Sequence, residues 1–497
     1  MSPSWHVWLP GLASAIILSV RHVAKILFWL CGLTALIGFV LWQAHPAGET
    51  TSGAQRPPEA SAVTEAAAQS AQEIAQIARL FPWRTDLWEQ AGQLAWQGGD
   101  AAAAIRYFTQ AAQRNGLSPT GRLALGDAHR QSGDLTSAIE AWQIALQQGA
   151  LASQVYPRLL DAHRRLGDYQ AAIADLQAML EDEPDRADLH YQIGLLLAAT
   201  QPKASLPHLQ RAGELDAQLA RRASSLAQVI RVAAVKGDTA YTLVEAGRAL
   251  GDLNEWELAL HALKTATQAR PDYAEAWAFL GEARQHLPLE EAGQDGLDDL
   301  RRALALDPKL LSAHLLLGLY WQRQGNIPQA LTILRQAATL YPDNPSLPAE
   351  IGRMLALQGD RDAAAQAYQR AIELAPYDPL YYRLLAQFCL EYSYQLSQIG
   401  LPAARRSVML APNDPAALDT LGQLLFQSGD IPGAKRLYNR AISLDAHYAP
   451  AYLHLGLVYL MENQPEQAQE IFRQTIALAP GTPTADHAQR LLQNYFP

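Results

Sequence analysis

The sequence predicts an all-α protein, a row of stacked helical hairpins preceded by one transmembrane helix. Three observations carry this. Prolines follow alanine-rich stretches at positions 82, 184, 271, 308, 342, 376, 412 and 480, with successive spacings of 102, 87, 37, 34, 34, 36 and 68. A period near 34 marks helical hairpins repeated along the chain. Small residues recur in phase with those prolines, and residues 26–42, ILFWLCGLTALIGFVLW, are seventeen residues without a charge.

Composition narrows the function classes. Hydrophobic residues make up 49% of the 497-residue chain, which is ample for a core and excludes wholesale disorder. The net charge is −10, and Arg21 and Lys25 are the only charged residues within 1–43, so the acidity belongs to the remainder. An acidic body argues against a nucleic-acid partner, because phosphate binding needs a basic stripe. The two cysteines are Cys31, inside the apolar N-terminal stretch, and Cys389. They build neither a disulfide framework nor a cysteine zinc site.

Taken in order, residues 1–43 read as a cytoplasmic N-terminus and membrane anchor. A helix over residues 26–42 is about 26 Å long, slightly short of a ~30 Å hydrocarbon core. Lys25 can snorkel at one end, and Trp29 and Trp42 suit the interfacial zones. Arg21, His22 and Lys25 precede the run, whereas the first charges after it are Glu49 and Arg56. The positive-inside rule then places the N-terminus in the cytoplasm and the bulk of the chain outside it. The expectation is a single-pass protein of a bacterial inner membrane. A cleaved signal peptide competes with this reading; the long leader and the length of the apolar run count against it. A second apolar run, Val7–Val20, is broken by Pro10 and either lies in the interface or inserts as half of a hairpin.

Residues 44–61, rich in Pro, Gly, Ser, Thr and Ala, read as a flexible linker. Residues 62–84 fit a half repeat or capping helix. Repeat blocks follow at 85–219 and 240–482, separated by an irregular extra helix at 220–239. Residues 483–497 fit a C-terminal capping helix, which a repeat array requires.

Inside the blocks a Gly or Ala stands in the first helix of each unit: Gly92, Gly126, Gly194, Gly247, Gly281, Gly318, Gly352, Ala386, Gly422 and Gly456. Twelve residues later comes a small residue such as Ala104, Ala138, Ala330 or Ala468, and four further on a large one such as Phe108, Trp142, Leu334 or Phe472. Small residues let two helices approach, and large ones fill the space beside them. Turns such as QSGD (131–134 and 427–430) end one helix on Gly and start the next on Asp. The closing proline stops the second helix.

These units resemble tetratricopeptide repeats. Residues 311–344, LSAHLLLGLYWQRQGNIPQALTILRQAATLYPDN, carry nearly the full pattern, as do 345–378 and 449–482. Eleven units begin at residues 85, 119, 153, 187, 240, 274, 311, 345, 379, 415 and 449. The resemblance implies a right-handed superhelical α-solenoid whose first helices line a concave surface for a protein or peptide partner. Besides the extra helix at 220–239, which breaks the phase, the sequence departs from the pattern in three units. Unit four is one residue short, unit six carries three extra residues within 287–299, and unit nine carries two extra.

No Gly-rich phosphate loop, GxSxG, HExxH or CxxC is present. The chain reads as a non-enzyme with no cofactor and no evident small-molecule substrate. His129 and His163, 34 apart, are the best metal candidates, and both read as structural histidines. The carboxylates Glu290, Glu291, Asp295, Asp298 and Asp299 lack calcium-loop spacing and read as a solvated insertion.

By the family register, positions 5, 9, 12 and 13 of each unit face the concave surface. The partner-binding candidates are therefore Asp127, Arg130, Asp161, Arg164 and Arg165 in units two and three, and Leu315, Leu319 and Arg323 in unit seven. Phe426 in unit ten and Leu453, Leu457, Leu460 and Met461 in unit eleven complete the set. An Asp three residues before an Arg also makes an ordinary intrahelical pair. The apolar strip of unit eleven marks either a partner site or a surface covered by the chain itself. The Lys/Asn pattern that clamps a peptide carboxylate in some members of the family is absent. The sequence thus points to a membrane-anchored scaffold supporting an envelope complex. The alternative is a structural subunit of an integral membrane complex whose N-terminal helix makes specific contacts.

Overall fold

The computed structural model describes residues 58–496, with side chains described from residue 67. These residues form twenty-six α-helices and no strand. The anchor expected over residues 26–42 and the run Val7–Val20 lie outside the described residues. Among those described, no helix is long and apolar enough to cross a membrane.

The chain divides into two compact units, one ending at Pro308 and one beginning at Lys309. The first opens with α1 (Pro58–Leu80). Hairpins follow as α2 and α3 (Thr85–Gln97, Ala101–Ala112), α4 and α5 (Pro119–Gln131, Leu135–Gln147), α6 and α7 (Ala152–Arg165, Tyr169–Asp182), and α8 and α9 (Ala187–Thr200, Pro202–Leu215). After the single helix α10 (Ala217–Ala234) come α11 and α12 (Thr239–Asp252, Trp256–Ala269). The last hairpin of this unit pairs α13 (Ala274–Arg284) with α15 (Leu297–Leu306) and carries the short α14 (Leu289–Ala292) in its turn.

The second unit has five hairpins: α16 and α17 (Leu311–Arg323, Ile327–Leu340), α18 and α19 (Ser346–Gln358, Arg361–Leu374), α20 and α21 (Pro379–Glu391, Leu401–Leu410), α22 and α23 (Pro415–Gln427, Ile431–Leu444), and α24 and α25 (Ala449–Met461, Pro465–Leu478). It ends with α26 (Pro483–Tyr495).

The turn chemistry is repeated almost unchanged. At the α4–α5 turn Gly133 takes φ +86°, a left-handed conformation open to glycine at little cost. The Asp134 amide returns to the His129 carbonyl at 2.9 Å, closing α4, and the Asp134 carboxylate accepts the Ser137 amide at 3.0 Å, opening α5. Gly429 and Asp430 repeat the arrangement before α23. The exits are equally regular. Tyr341, Ala375, Ala411 and Ala479 each precede a proline, and each leaves the helix with φ between −130° and −140° and ψ between 56° and 74°. The following proline ring disfavours the helical basin at that residue.

Within a hairpin the glycine of the first helix meets the large residue sixteen positions on. A Cβ on Gly126 would lie 2.3 Å from Trp142 Nε1, and one on Gly456 would lie 2.4 Å from Phe472 Cε1. Trp142 and Phe472 are both fully buried. The bare glycine backbone is the floor on which the ring lies.

The departures from phase have local solutions. Helix α10 packs between α9 and α11, while α8 packs directly on α11 and α12, so the stack continues past the added helix. Helix α8 is suited to this position because Leu189, Tyr191, Ile193 and Leu195 through Ala199 are all buried. In unit nine the extra residues form a π-helical turn at Leu396–Gly400, preceded by Ser393 at φ +49° and Gln395 at φ +40°.

The insertion of unit six requires a correction. Glu290, Glu291, Asp295 and Asp298 are exposed, but Asp299 is 3% exposed and lies 2.7 Å from Arg284 Nε. Gln294 donates to the same carboxylate at 2.7 Å, and Arg284 also donates to the Ala292 carbonyl. The insertion is therefore pinned by a buried ion pair at its base. Burial pushes the Asp299 carboxyl up, against the opposing pull of Gln294 and Arg284.

Candidate partner-binding face

In each unit the first helices of neighbouring hairpins pack on one another, α2 on α4, α11 on α13, α18 on α20, α20 on α22 and α22 on α24. Within each unit these helices lie side by side, and polar side chains bridge them. Arg158 of α6 donates to Asp127 of α4 through Nε at 2.8 Å and Nη2 at 3.1 Å, a bidentate pair. Its hydrogen bonds to Asp127 hold the Arg158 guanidinium above its ordinary value. Asp161 of α6 receives Arg165 Nε at 3.1 Å and lies 4.0 Å from Arg130 of α4. Arg164 is half-buried on the same helix.

The structure thus brings Asp127, Arg130, Asp161 and Arg165 into one charged row. Neither Asp pairs with the Arg three residues on: Asp127 pairs across to the next helix, and Asp161 pairs with Arg165 on its own helix and lies near Arg130 of the preceding one. Asp127 takes Arg158, thirty-one residues on, rather than Arg130. Arg158 was missed in the sequence, where only its spacing from Asp127 could have flagged it.

The second unit repeats the device with other residues. Arg353 of α18 donates to Gln322 of α16 at 2.8 Å and pairs with Glu350 at 2.7 Å. His454 of α24 lies 2.6 Å from Asp419 of α22, whose second oxygen accepts from Gln423 at 3.1 Å. Asp419 is buried, so this contact is part of the core rather than an open binding position. Leu315 packs on the apolar cluster around α17–α21, Leu319 is half-buried, and Arg323 is exposed. Phe426 packs against the cluster around Tyr438 and Val458.

The apolar strip of unit eleven is covered by the chain. Leu453 is buried, and Leu457 and Leu460 pack with Leu491, Leu492 and Phe496 of the C-terminal helix and its end. Met461, at 67% exposed, is the one member of the strip open to solvent. The physical reason is direct: a terminal hairpin leaves an apolar flank, and α26 covers it.

The two histidines of units two and three do not share a site. His129 Nδ1 lies 3.5 Å from Asp134, and His163 Nδ1 lies 2.6 Å from Asp175 in the interior. Burial pushes the Asp175 carboxyl up, and His163 opposes the shift. Among the described residues no three His, Cys, Asp or Glu side chains are grouped to hold a metal.

A tetratricopeptide repeat family model matches residues 90–153, 158–225, 244–289, 293–345 and 322–379, and a second such model matches 425–493. The chain belongs to the tetratricopeptide repeat family. Among curated relatives it is 28% identical to mouse Superkiller complex protein 3 over 221 residues, 40% of this chain and 14% of that protein. It is 25% identical to human Protein O-mannosyl-transferase TMTC3 over 252 residues, 50% of this chain and 27% of that protein. The chain therefore spans well under half the length of either relative. Among solved structures, yeast Tom70 aligns with a TM-score of 0.35 at 13% identity, covering 76% of this chain and 95% of that one.

Proposed function

We propose that this tetratricopeptide repeat chain is a non-catalytic scaffold, anchored to a membrane through residues 26–42, that holds a partner protein or peptide on its first-helix faces. The observation that carries the reading is the polar ladder between successive first helices. Asp127 with Arg158, and Gln322 with Arg353, fix neighbouring helices before a partner arrives, so binding orders little of the protein. Exposed Arg130, Arg165 and Arg323 supply charge along these faces, and half-buried Leu315, Leu319 and Phe426 supply apolar contact.

The anchor and its orientation rest on the apolar run and on the basic residues Arg21 and Lys25 before it. On that basis the repeats lie outside the cytoplasm of a bacterial cell and serve an envelope complex. One relative is by name a protein of a superkiller complex, which accords with a role in assembly.

Photoreactive residues at Arg164 and Leu319, with Arg370 on a second helix as control, test the reading in cells. Partner crosslinks at the first two sites and not at the control are expected. Crosslinks to no protein from either site, or equally from all three, would sink it. Protease added to spheroplasts tests the orientation, and protection of residues beyond 58 would reverse it.

A further inference from the structure

A cleft of about 670 Å³ opens in the first unit where the end of α1 meets α2 and α3. It is distinct from the first-helix ladder, because most of its wall comes from α3, a second helix, and from the segment just after it. Three arginines line it, Arg79, Arg106 and Arg114, and no carboxylate does. Among the described residues neither Arg79 nor Arg106 has an ion-pair or hydrogen-bond partner. Elsewhere in the unit Arg84, Arg158 and Arg186 each pair with an aspartate, Asp86, Asp127 and Asp188.

The interior of the cleft is aromatic. Trp88 lines it, is 6% exposed, and keeps its indole N–H buried without a hydrogen-bond partner. The Arg114 guanidinium lies over the Trp88 ring at 6.0 Å and is steadied by the Gln110 carbonyl at 2.7 Å. Exposed apolar residues adjoin the lining in the chain. Leu80 and Trp83, 73% and 72% exposed, and Phe81 flank the lining residues Arg79 and Pro82 in the chain, and the Phe81 and Trp83 rings meet edge to face at 5.7 Å.

We propose that this cleft binds a peptide segment of a partner that places a carboxylate beside apolar side chains. The chemistry follows from the parts. A guanidinium presents a planar fork of donors that matches a carboxylate, and an aromatic wall excludes water and strengthens the pairing. The exposed Leu80, Phe81 and Trp83 form a shelf that buries the neighbouring apolar residues of the peptide, as exposed apolar patches at interfaces do. The carboxylate can come from an Asp or Glu side chain or from a C-terminus, and the experiment separates the two.

The full chain in detergent is titrated calorimetrically with three peptides: acetyl-Ala-Glu-Leu-Phe-Leu amide, the same peptide with Gln for Glu, and that Gln peptide as a free acid. Expected is binding of the Glu amide or the free acid at least about tenfold tighter than the Gln amide. Whichever of the two binds names the source. The double variant R106Q/R114Q, at exposed helix-surface and loop positions, is expected to lose about tenfold in affinity with an unchanged thermal melt. A W88F variant is expected to weaken the same peptide several-fold.

No binding by either carboxylate peptide overturns the proposal. So does equal affinity for all three, or affinity untouched by R106Q/R114Q. Inorganic phosphate or anionic-lipid nanodiscs competing for these arginines more strongly than the peptides would assign the cleft to phosphate chemistry and equally overturn it. None of these outcomes bears on the crosslinking at Arg164 and Leu319, so the two readings fail separately.

Discussion

The same substitution at equivalent repeat positions should have different costs, and the structure says which is larger. Consider Gly126→Ala in α4 and Gly318→Ala in α16. Both remove a glycine from a helix interior, which by itself favours the folded state by about 1 kcal/mol. At position 126 the new methyl would lie 2.3 Å from Trp142 Nε1 and 2.5 Å from its Cδ1. The Trp142 ring is fully buried and donates to the Leu123 carbonyl at 3.2 Å, so it cannot retreat without losing that bond. Overpacking costs about 1–3 kcal/mol and an abandoned buried hydrogen bond about 1–3, so after the propensity gain the net destabilisation is about 1–5 kcal/mol.

At position 318 the nearest atoms are Leu334 Cδ2 at 3.0 Å and Cγ at 3.1 Å. A leucine end can give by a few tenths of an ångström, so the terms nearly cancel and the net change stays within about 0.5 kcal/mol. Urea titration followed by circular dichroism measures the difference. Amide hydrogen exchange over α4–α5 and α16–α17 localises it, because repeat arrays open region by region. Adding Trp142→Leu to Gly126→Ala should recover part of the loss. A Gly318→Ala cost equal to that of Gly126→Ala would refute the reasoning, since packing against one specific ring would then not be what selects glycine.

Three further outcomes are expected. In a double-mutant cycle with Asp127→Asn and Arg158→Gln, the pair couples by about 0.5–1 kcal/mol, and the coupling shrinks in 1 M salt because Arg158 is partly exposed. Burial pushes the Cys389 thiol up to about 12, so in native protein at pH 8 the peptide containing it should escape iodoacetamide, as mass spectrometry would show, and become modified in urea. Burial, Arg490 and His454 together lower His487 of α26 below its ordinary value of 6.5. The folded chain therefore prefers neutral His487, so the docking of α26 is at full strength above pH 6.5 and weakens as pH falls below it. Hydrogen exchange of residues 483–495 should be faster at pH 5.5 than at pH 8, after correction for intrinsic rates, and His487→Leu should remove the difference.

The sequence by itself determined the hairpin. Glycine, alanine and the large residue that follows belong to a single unit, so the contact of Gly126 with Trp142 or Gly456 with Phe472 shows as a fixed spacing. Gly133 with Asp134 and the residue before each closing proline are likewise local backbone chemistry, legible without knowing what packs on them. Only the tertiary structure decided what happens between units. A sequence register names the residues on a face but not their partners, which is why Asp127 was matched to its own helix and not to Arg158 of the next. The same limit hid Asp299 beneath its insertion and left open whether α26 covers Leu453, Leu457 and Leu460. It also hid the cleft at Trp88, whose arginines come from α1, α3 and the segment after α3. Contacts within a hairpin repeat with the period of the chain, whereas contacts between helices of different units depend on how each side chain is aimed once the helices have packed.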